Sequence, residues 1–376
     1  VKIIRFETFL VSAGVNYVFL QVHTDEGLVG LGDGTVATKA LAVEAAIRDL
    51  ERLVVGSDPT NIEGLWQEMF RRPRWRGGPV LNSAISAVEI ALWDILGQSL
   101  GVPIWKLLGG ACRDRIRVYS HVHGDTPEEA AESARSLLEQ GFTAVKTSPL
   151  VVHDNVVRAT RGMREGVAKV RAIREAVGED VDVMLDAHGQ LTPEMAVEMA
   201  HRVAEYRPLF LEETTQPDDL SVLEWVSQRS PVPLATGERL FTKYEFTEIC
   251  SRQLVRYVQP DVLHCGGISE MKKIAAIAEA YYIHCAPHNP QSFVSAMASF
   301  HVDACTPNCV IQEFVWGPEW QRGLFEGAPV IVDGYAELPS EPGLGVKLNV
   351  EAARAHPYEP DFRPPWHWED GSVADW

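Results

Sequence analysis

This 376-residue chain lacks several features that would assign it to a functional class. Its six cysteines, Cys112, Cys250, Cys265, Cys285, Cys305 and Cys309, form no CxxC pair and no Cys/His zinc spacing. That excludes a zinc-finger-type module and, at this length, argues against a disulfide framework. The cysteines read as reduced core residues. Positive charge is scarce: 34 Lys+Arg stand against 52 Asp+Glu, a formal net charge of −18. So acidic a chain has no electrostatic footprint for nucleic acid or an anionic membrane surface. No apolar run approaches the roughly 20 residues that span a bilayer. The N-terminal VKIIRFETFLVSAG alternates like a strand and lacks the build of a signal peptide, so a cytoplasmic location is the default expectation. The glycines at 27–34 and Gly266-Gly267 form no phosphate-binding loop, although Gly266-Gly267 opens a helix whose N–H groups suit an anion.

Hydrophobic residues make up 46% and charged residues 23%, enough for a sizeable core. The length allows two domains or one large α/β barrel with additions. Residues 2–10, 16–23 and 28–33 read as strands, followed by helical periodicity over 37–54, 61–70 and 83–100. Three strands and then helices suggest a small α+β module. After Gly109-Gly110 the pattern changes to eight short β-rich runs: 116–122, 142–148, 181–188, 208–214, 232–238, 255–261, 281–288 and 309–315. Helix-sized segments separate them, which calls for parallel pairing, and eight strands close a barrel. The connection 148–166 reads as a long loop, and loops of that length tend to be functional. Trp320, Trp366, Trp368 and Trp376 suggest that the tail packs back onto the body.

The strongest chemical signal is spacing. Asp186, Glu212 and Glu238 follow one another at equal intervals, each closing an apolar strand in VMLDAH, LFLEET and LATGE. Equal spacing predicts three carboxylates at one height on neighbouring strands, at the barrel end where catalytic groups collect. Three such acids need a counter-charge, and an oxygen-only donor set favours Mg²⁺. A helix cap or a paired base would explain any one of these acids, but not three in register. Glu213, next to Glu212, is expected on the other face of the strand. Asp261 and His288 end the next two strands, where the carboxylate orients the imidazole and raises its basicity. His188 lies on the same face as Asp186, and Glu313 ends the eighth strand. Lys146, ending the second, reads either as a contact to a bound carboxylate or as an outward surface residue. The run Arg71, Arg72, Arg74, Arg76 reads as a solvated face.

These residues resemble the enolase superfamily, in its mandelate racemase-like subgroup, and within it the acid-sugar dehydratases. The resemblance spans the chain. It rests on TDEGLVGLGD and RGGPVLNSAISAVEIALWDILGQSLGVPIWKLLGG in the first module. In the barrel it rests on LDAHGQLTPEMA, RPLFLEE, PLATGERLF, VQPDVLHCGGISEMKKIA and CAPHNP, and at the end on PPWHWEDGSVADW. It implies an α+β capping domain over 1–112, a (β/α)7β modified TIM barrel over 113–320, and a C-terminal segment, 321–376, returning to both. It also implies Mg²⁺ on Asp186, Glu212 and Glu238. His288, oriented by Asp261, would then be the base that removes the proton α to a carboxylate. His188 would protonate the departing 3-hydroxyl, Glu313 would hydrogen-bond the enediolate, and Lys146 would touch substrate. The implied reaction converts a galactonate-like aldonate to a 2-keto-3-deoxy acid, in a homo-oligomer. Two departures bear on it. Lys146 and Ser148 stand where the racemases carry Lys-x-Lys, which disfavours two-base racemisation or epimerisation, and Glu212-Glu213-Thr214 replaces the common Glu-Glu-Pro. Another aldonate or aldarate (mannonate, gluconate, galactarate) and a non-catalytic binding protein on the same barrel are the alternatives.

Overall fold

A computed structural model describes residues 1–317 and 319–375. The first module is an antiparallel sheet, β1 (Ile3–Ser12), β2 (Asn16–Thr24) and β3 (Val29–Asp33), covered by α1 (Ala40–Val54), α2 (Ile62–Arg71) and α3 (Pro79–Leu100). Strand β2 divides its side chains between two cores because alternate residues face opposite ways. Val18, Leu20 and Val22 pack inside the module with Val43, Ile47 and Trp66. Tyr17 and Phe19 join the main core of the protein instead. Helix α3 lies directly on β3: a Cβ on Gly30 or Gly32 would stand 2.1 Å from Ala91 O or 1.9 Å from Ala87 O. Contrary to the expectation from run lengths, α3 is long and apolar enough to cross a bilayer, but it is a largely buried core helix.

The barrel strands are β4 (Arg115–His121), β5 (Ala144–Thr147), β6 (Asp182–Asp186), β7 (Leu211–Glu212), β8 (Leu234–Thr236), β9 (Tyr257–Val258), β10 (His284–Cys285) and β11 (Gln312–Glu313). Consecutive strands from β4 to β10 pair in parallel. A single parallel bridge, Cys285 to Cys309, links β10 to the approach of β11, and β11 closes onto β4 with Glu313 opposite Tyr119. Seven helices intervene: α4 (Pro127–Glu139), α5 (Ala159–Val177), α6 (Pro193–Val203), α7 (Leu220–Ser227), α8 (Lys243–Ser251), α9 (Ile268–Ala280) and α10 (Phe293–Ala304). This is the expected (β/α)7β arrangement.

Inside the barrel, Tyr119, Ala144, Met184, Phe210, Ala235, Ala286 and Ile311 form an apolar layer of their own. Two residues further along the same strands or their ends come His121, Lys146, Asp186, Glu212, His288 and Glu313. Since residues i and i+2 share a face, the apolar layer carries a polar one on top of it.

Three expectations change. The 148–166 loop ends early, because α5 begins at Ala159. The segment also contains Gly162 and Gly166. They are helix positions against which the loop backbone lies: a Cβ on Gly166 would be 1.7 Å from Pro149 O, and one on Gly162 2.5 Å from Val151 O. The N-terminus of α9 takes no external anion, since the buried Glu89 carboxylate of α3 accepts from Ile268 N (2.7 Å) and Ser269 N (2.9 Å). The tryptophans form no single cluster. Trp366 and Trp368 pack on the main core, whereas Trp320 stacks on His356 at 4.3 Å, and Trp376 lies outside the described residues. The tail does return to the body: Glu359 O accepts from Asn16 Nδ2, and His367–Trp368 pairs with Val156–Val157 of the loop after β5.

His301, buried on α10, ties two distant segments together. Its Nδ1 accepts from Trp105 N (3.2 Å), and its Nε2 lies 3.1 Å from Leu344 O, to which it donates. Burial pushes its pKa down to about 4. The unfolded chain therefore binds a proton that the folded chain refuses, and stability falls as pH drops from about 6.5 toward about 4. Replacing His301 by Gln removes this linkage. The stability difference between wild type and His301→Gln should shrink by about 2 kcal/mol between pH 7.5 and pH 5 in urea unfolding. A difference that stays constant with pH refutes the assignment.

Candidate active site

Asp186 and Glu212 are direct register partners at the ends of β6 and β7. Glu212 also faces Ala235, so Glu238 lies three residues beyond their common rung, not on it as equal spacing predicted. The chain turns back at Gly237, whose φ is +150° and whose Cβ would stand 2.7 Å from Gln259 N. The inward position above Ala235 thus carries no side chain, and Glu238 fills the space from the turn. The three acids still converge: one oxygen from each lies within 4.8 Å of the other two. Glu213 leaves the cluster, with φ +43°. Its Oε1 accepts from Gly237 N (3.0 Å) and Thr236 Oγ1 (2.5 Å), and so fixes the turn that delivers Glu238.

Lys146 is not an outward surface residue. It is buried, with Nζ 3.0 Å from Asp186 Oδ2, 3.1 Å from Glu212 Oε1 and 2.8 Å from Glu313 Oε1. Burial works against its charge, but the three carboxylates outweigh it and raise its pKa well above the ordinary lysine value. Asp186, despite burial, is held down to about 2 by Lys146 and His188, whereas burial and neighbouring acids push Glu212 well up.

Two imidazoles flank the cluster. His288 Nδ1 lies 2.7 Å from Asp261 Oδ2, and its Nε2 lies 3.3 Å from Glu238 Oε2 and 3.9 Å from Glu313 Oε2. Burial opposes protonation of His288, but Glu238, Glu313 and Asp261 together raise its pKa to about 10. His188 Nε2 is 3.3 Å from Asp186 Oδ2 on the other edge. Here burial dominates and lowers the pKa, with Asp186 pulling the other way. His188 sits in the left-handed region, φ +50°, so a turn brings it back to Asp186 where strand alternation was the expected cause. Glu313 takes donors on both oxygens: Lys146 and His121 on Oε1, Asn289 N (2.8 Å) on Oε2.

Sequence reasoning missed His121, Arg239 and His264. His121 follows from the two-layer rule, being two residues beyond inward Tyr119. Arg239, which donates to His188 O (2.7 Å), and His264, 2.9 Å from Ser83 Oγ, sit on turns where no periodicity applies. A cavity of about 780 Å³ opens over His188, His288 and Glu238. Val15, Val36 and Pro79 of the first module and Arg363 of the tail line it. The Arg71–Arg76 run lies exposed and outside that lining, as a solvated face should.

The donor set fits a hard divalent cation. All three groups are carboxylates, and Glu238 Oε2 is a buried acceptor with no hydrogen bond from any described residue. Lys146 supplies the other counter-charge. Lys146→Met should therefore lose roughly 3–5 kcal/mol of stability in EDTA, because it leaves buried carboxylates unpaired. Mg²⁺ should recover more of the thermal midpoint in this variant than in wild type. No Mg²⁺-induced rise of the midpoint in either protein would show that these acids do not bind the ion.

Residues 9–109 match the family model of the mandelate racemase/muconate lactonizing enzyme N-terminal domain, and residues 129–353 match that of the enolase C-terminal domain-like family. The chain is 36% identical to D-galactonate dehydratase of Pectobacterium atrosepticum and 38% identical to that of Xanthomonas oryzae pv. oryzae, with full coverage of both chains in each pair. Among solved structures, an enolase of Pantoea ananatis with bound D-gluconate and Mg superposes with TM-score 0.93 at 31% identity, over 99% of each chain. An Agrobacterium radiobacter enolase with bound Na and L-malate gives 0.92 at 32% identity, over 100% of each chain. A two-domain match of this extent, on a barrel with this carboxylate cluster, places the chain in the enolase superfamily, in its mandelate racemase/muconate lactonizing enzyme branch.

Proposed function

We propose that this chain dehydrates a sugar acid, a galactonate-like aldonate, to a 2-keto-3-deoxy acid, with Mg²⁺ held by Asp186, Glu212 and Glu238. The observation that carries the reading is the pair of imidazoles on opposite edges of one acidic cluster, His188 beside Asp186 and His288 beside Glu238, each at 3.3 Å. The names of the D-galactonate dehydratases support the substrate class.

A hydrogen α to a carboxylate is a weak acid, so its removal needs a positioned base and stabilisation of the charge that develops. A divalent cation among the three acids would absorb that charge and offset the carboxylates that keep His288 protonated. His288 takes the C2 proton at Nε2, while Asp261 on Nδ1 fixes the tautomer and stabilises the imidazolium that forms. His188 gives its proton to the leaving 3-hydroxyl, which departs as water, and the resulting enol becomes the 2-keto product. Lys146 is held as an ammonium and contributes positive charge beside the substrate carboxylate. Glu313, with donors on both oxygens, is an acceptor. It bears on Lys146 and His288, and the family resemblance also gives it a hydrogen bond to the enediolate. Racemisation needs a second base. Ser148 and the charged Lys146 supply none, which favours dehydration over epimerisation. The 1–112 module and the 321–376 segment serve as the cap over the 113–320 barrel, contributing Val15, Val36, Pro79 and Arg363 to the cavity wall.

The two histidines separate in a deuterium-exchange experiment with Mg²⁺ and galactonate. His288→Asn should lose both C2 exchange and keto-acid release by about 10³-fold or more. His188→Asn should lose keto-acid release by about 10²–10⁴-fold and retain C2 exchange. Wild-type exchange at C2 without any keto acid would sink the dehydratase reading in favour of epimerisation.

A further inference from the structure

We propose that His121 is a positioning residue of this site, holding Glu313 in place across the seam where the barrel closes. The inference rests on the reading above, but the tie itself is visible without it. His121 ends β4, and its Nε2 lies 2.5 Å from Glu313 Oε1. The two strands are neighbours, with Glu313 in register with Tyr119, so His121 stands two residues beyond the residue opposite Glu313.

The seam explains why a side-chain tie is needed. Strand β11 is two residues long, and on its other side the chain from β10 meets it through the bridge at Cys285 and Cys309 and one longer bond, from Glu313 N to Pro287 O (3.3 Å). The backbone around Glu313 therefore has less ladder support than the four- and five-residue strands β5 and β6 that position Lys146 and Asp186. Glu313 is nevertheless fully buried and must present fixed oxygens to Lys146 at 2.8 Å and to His288 at 3.9 Å. Asn289 N holds one oxygen, and His121 shares the other with Lys146. Without His121, the Oε1 side rests on one lysine that also serves Asp186 and Glu212. The χ3 torsion of a glutamate is broad, so losing one of its three donors lets the carboxylate rotate. Rotation would change both the field at His288 and the position of Lys146, and misplacement of about 1 Å costs on the order of 100-fold in rate. His121 is neither one of the proposed cation donors nor one of the residues lining the cavity, which makes it a positioning residue and not a catalytic one.

The test compares His121→Phe with His121→Gln, whose amide nitrogen falls near the imidazole Nε2. The Phe variant should lower kcat by about 100-fold with KM within about threefold. The Gln variant, at an equal thermal midpoint, should recover to within about tenfold of wild type. Equal kcat in the two variants overturns the proposal, because a merely structural role would not distinguish them. A second readout needs no turnover. In a ¹⁵N-histidine-labelled sample, the ring N–H signal that disappears in His121→Gln should lie far downfield and move upfield in Glu313→Gln. If it does not move, the tie is absent. If the wild type turns over no sugar acid, the dehydratase reading fails and this signal still decides the role of His121 toward Glu313.

Discussion

The structure depends above all on how much negative charge it concentrates in a place with little water. Asp186, Glu212, Glu238 and Glu313 converge at the barrel mouth, three of them almost wholly buried. In a low effective dielectric their repulsion is far larger than on a surface, and burial alone already disfavours each charge. Positive groups must therefore be placed to match. Lys146 contacts three of the four acids, and His288 lies between Glu238 and Glu313. The same electrostatic tension makes the site attractive to a divalent cation and poises an imidazole to accept a proton.

The barrel supports this arrangement with simple geometry. A lower layer of Tyr119, Ala144, Met184, Phe210, Ala235, Ala286 and Ile311 packs the interior below the site. The charged groups stand two residues above them. Their positions are thus inherited from packed strands, which hold a constellation more firmly than loops do. Only Glu238 and His188 depart from the rule. Both are delivered by turns, and both turns are tied down by neighbours: Glu213 holds Gly237 and Thr236, and Arg239 holds His188 O.

Outside the barrel, the first module is joined to it by shared cores more than by surface contacts. Strand β2 gives one face to each core, and Glu89 of α3 caps α9 of the barrel. The tail then runs from Glu359 beside Asn16 to the pairing of His367–Trp368 with the loop after β5. Arg363, between those two attachments, reaches the cavity wall. The chain end therefore takes part in shaping the site, although it lies far from the catalytic strands in sequence.

Much of this was legible before any coordinates. The eight strand-like runs, the acids ending three of them, and the adjacent Asp261 and His288 all follow from strand periodicity and repeat length, which are local properties. Periodicity also contained His121, as the inward residue two beyond Tyr119, and it was overlooked because a histidine near a strand end carries no signal without its partner. Other features could not be read locally. Whether Lys146 faced outward or inward depended on the barrel closing around it. The early start of α5 at Ala159 depends on the backbone of residues 149–151 lying against Gly162 and Gly166. The equal spacing of Asp186, Glu212 and Glu238 pointed to the right cluster for a partly wrong reason, since the register of β8 leaves Glu238 off the common rung and the turn at Gly237 restores it. Sequence determined which side chains alternate along each strand. Only the tertiary structure decided which distant charges meet, because those contacts are set by register, closure and turns that bring together residues far apart in the chain.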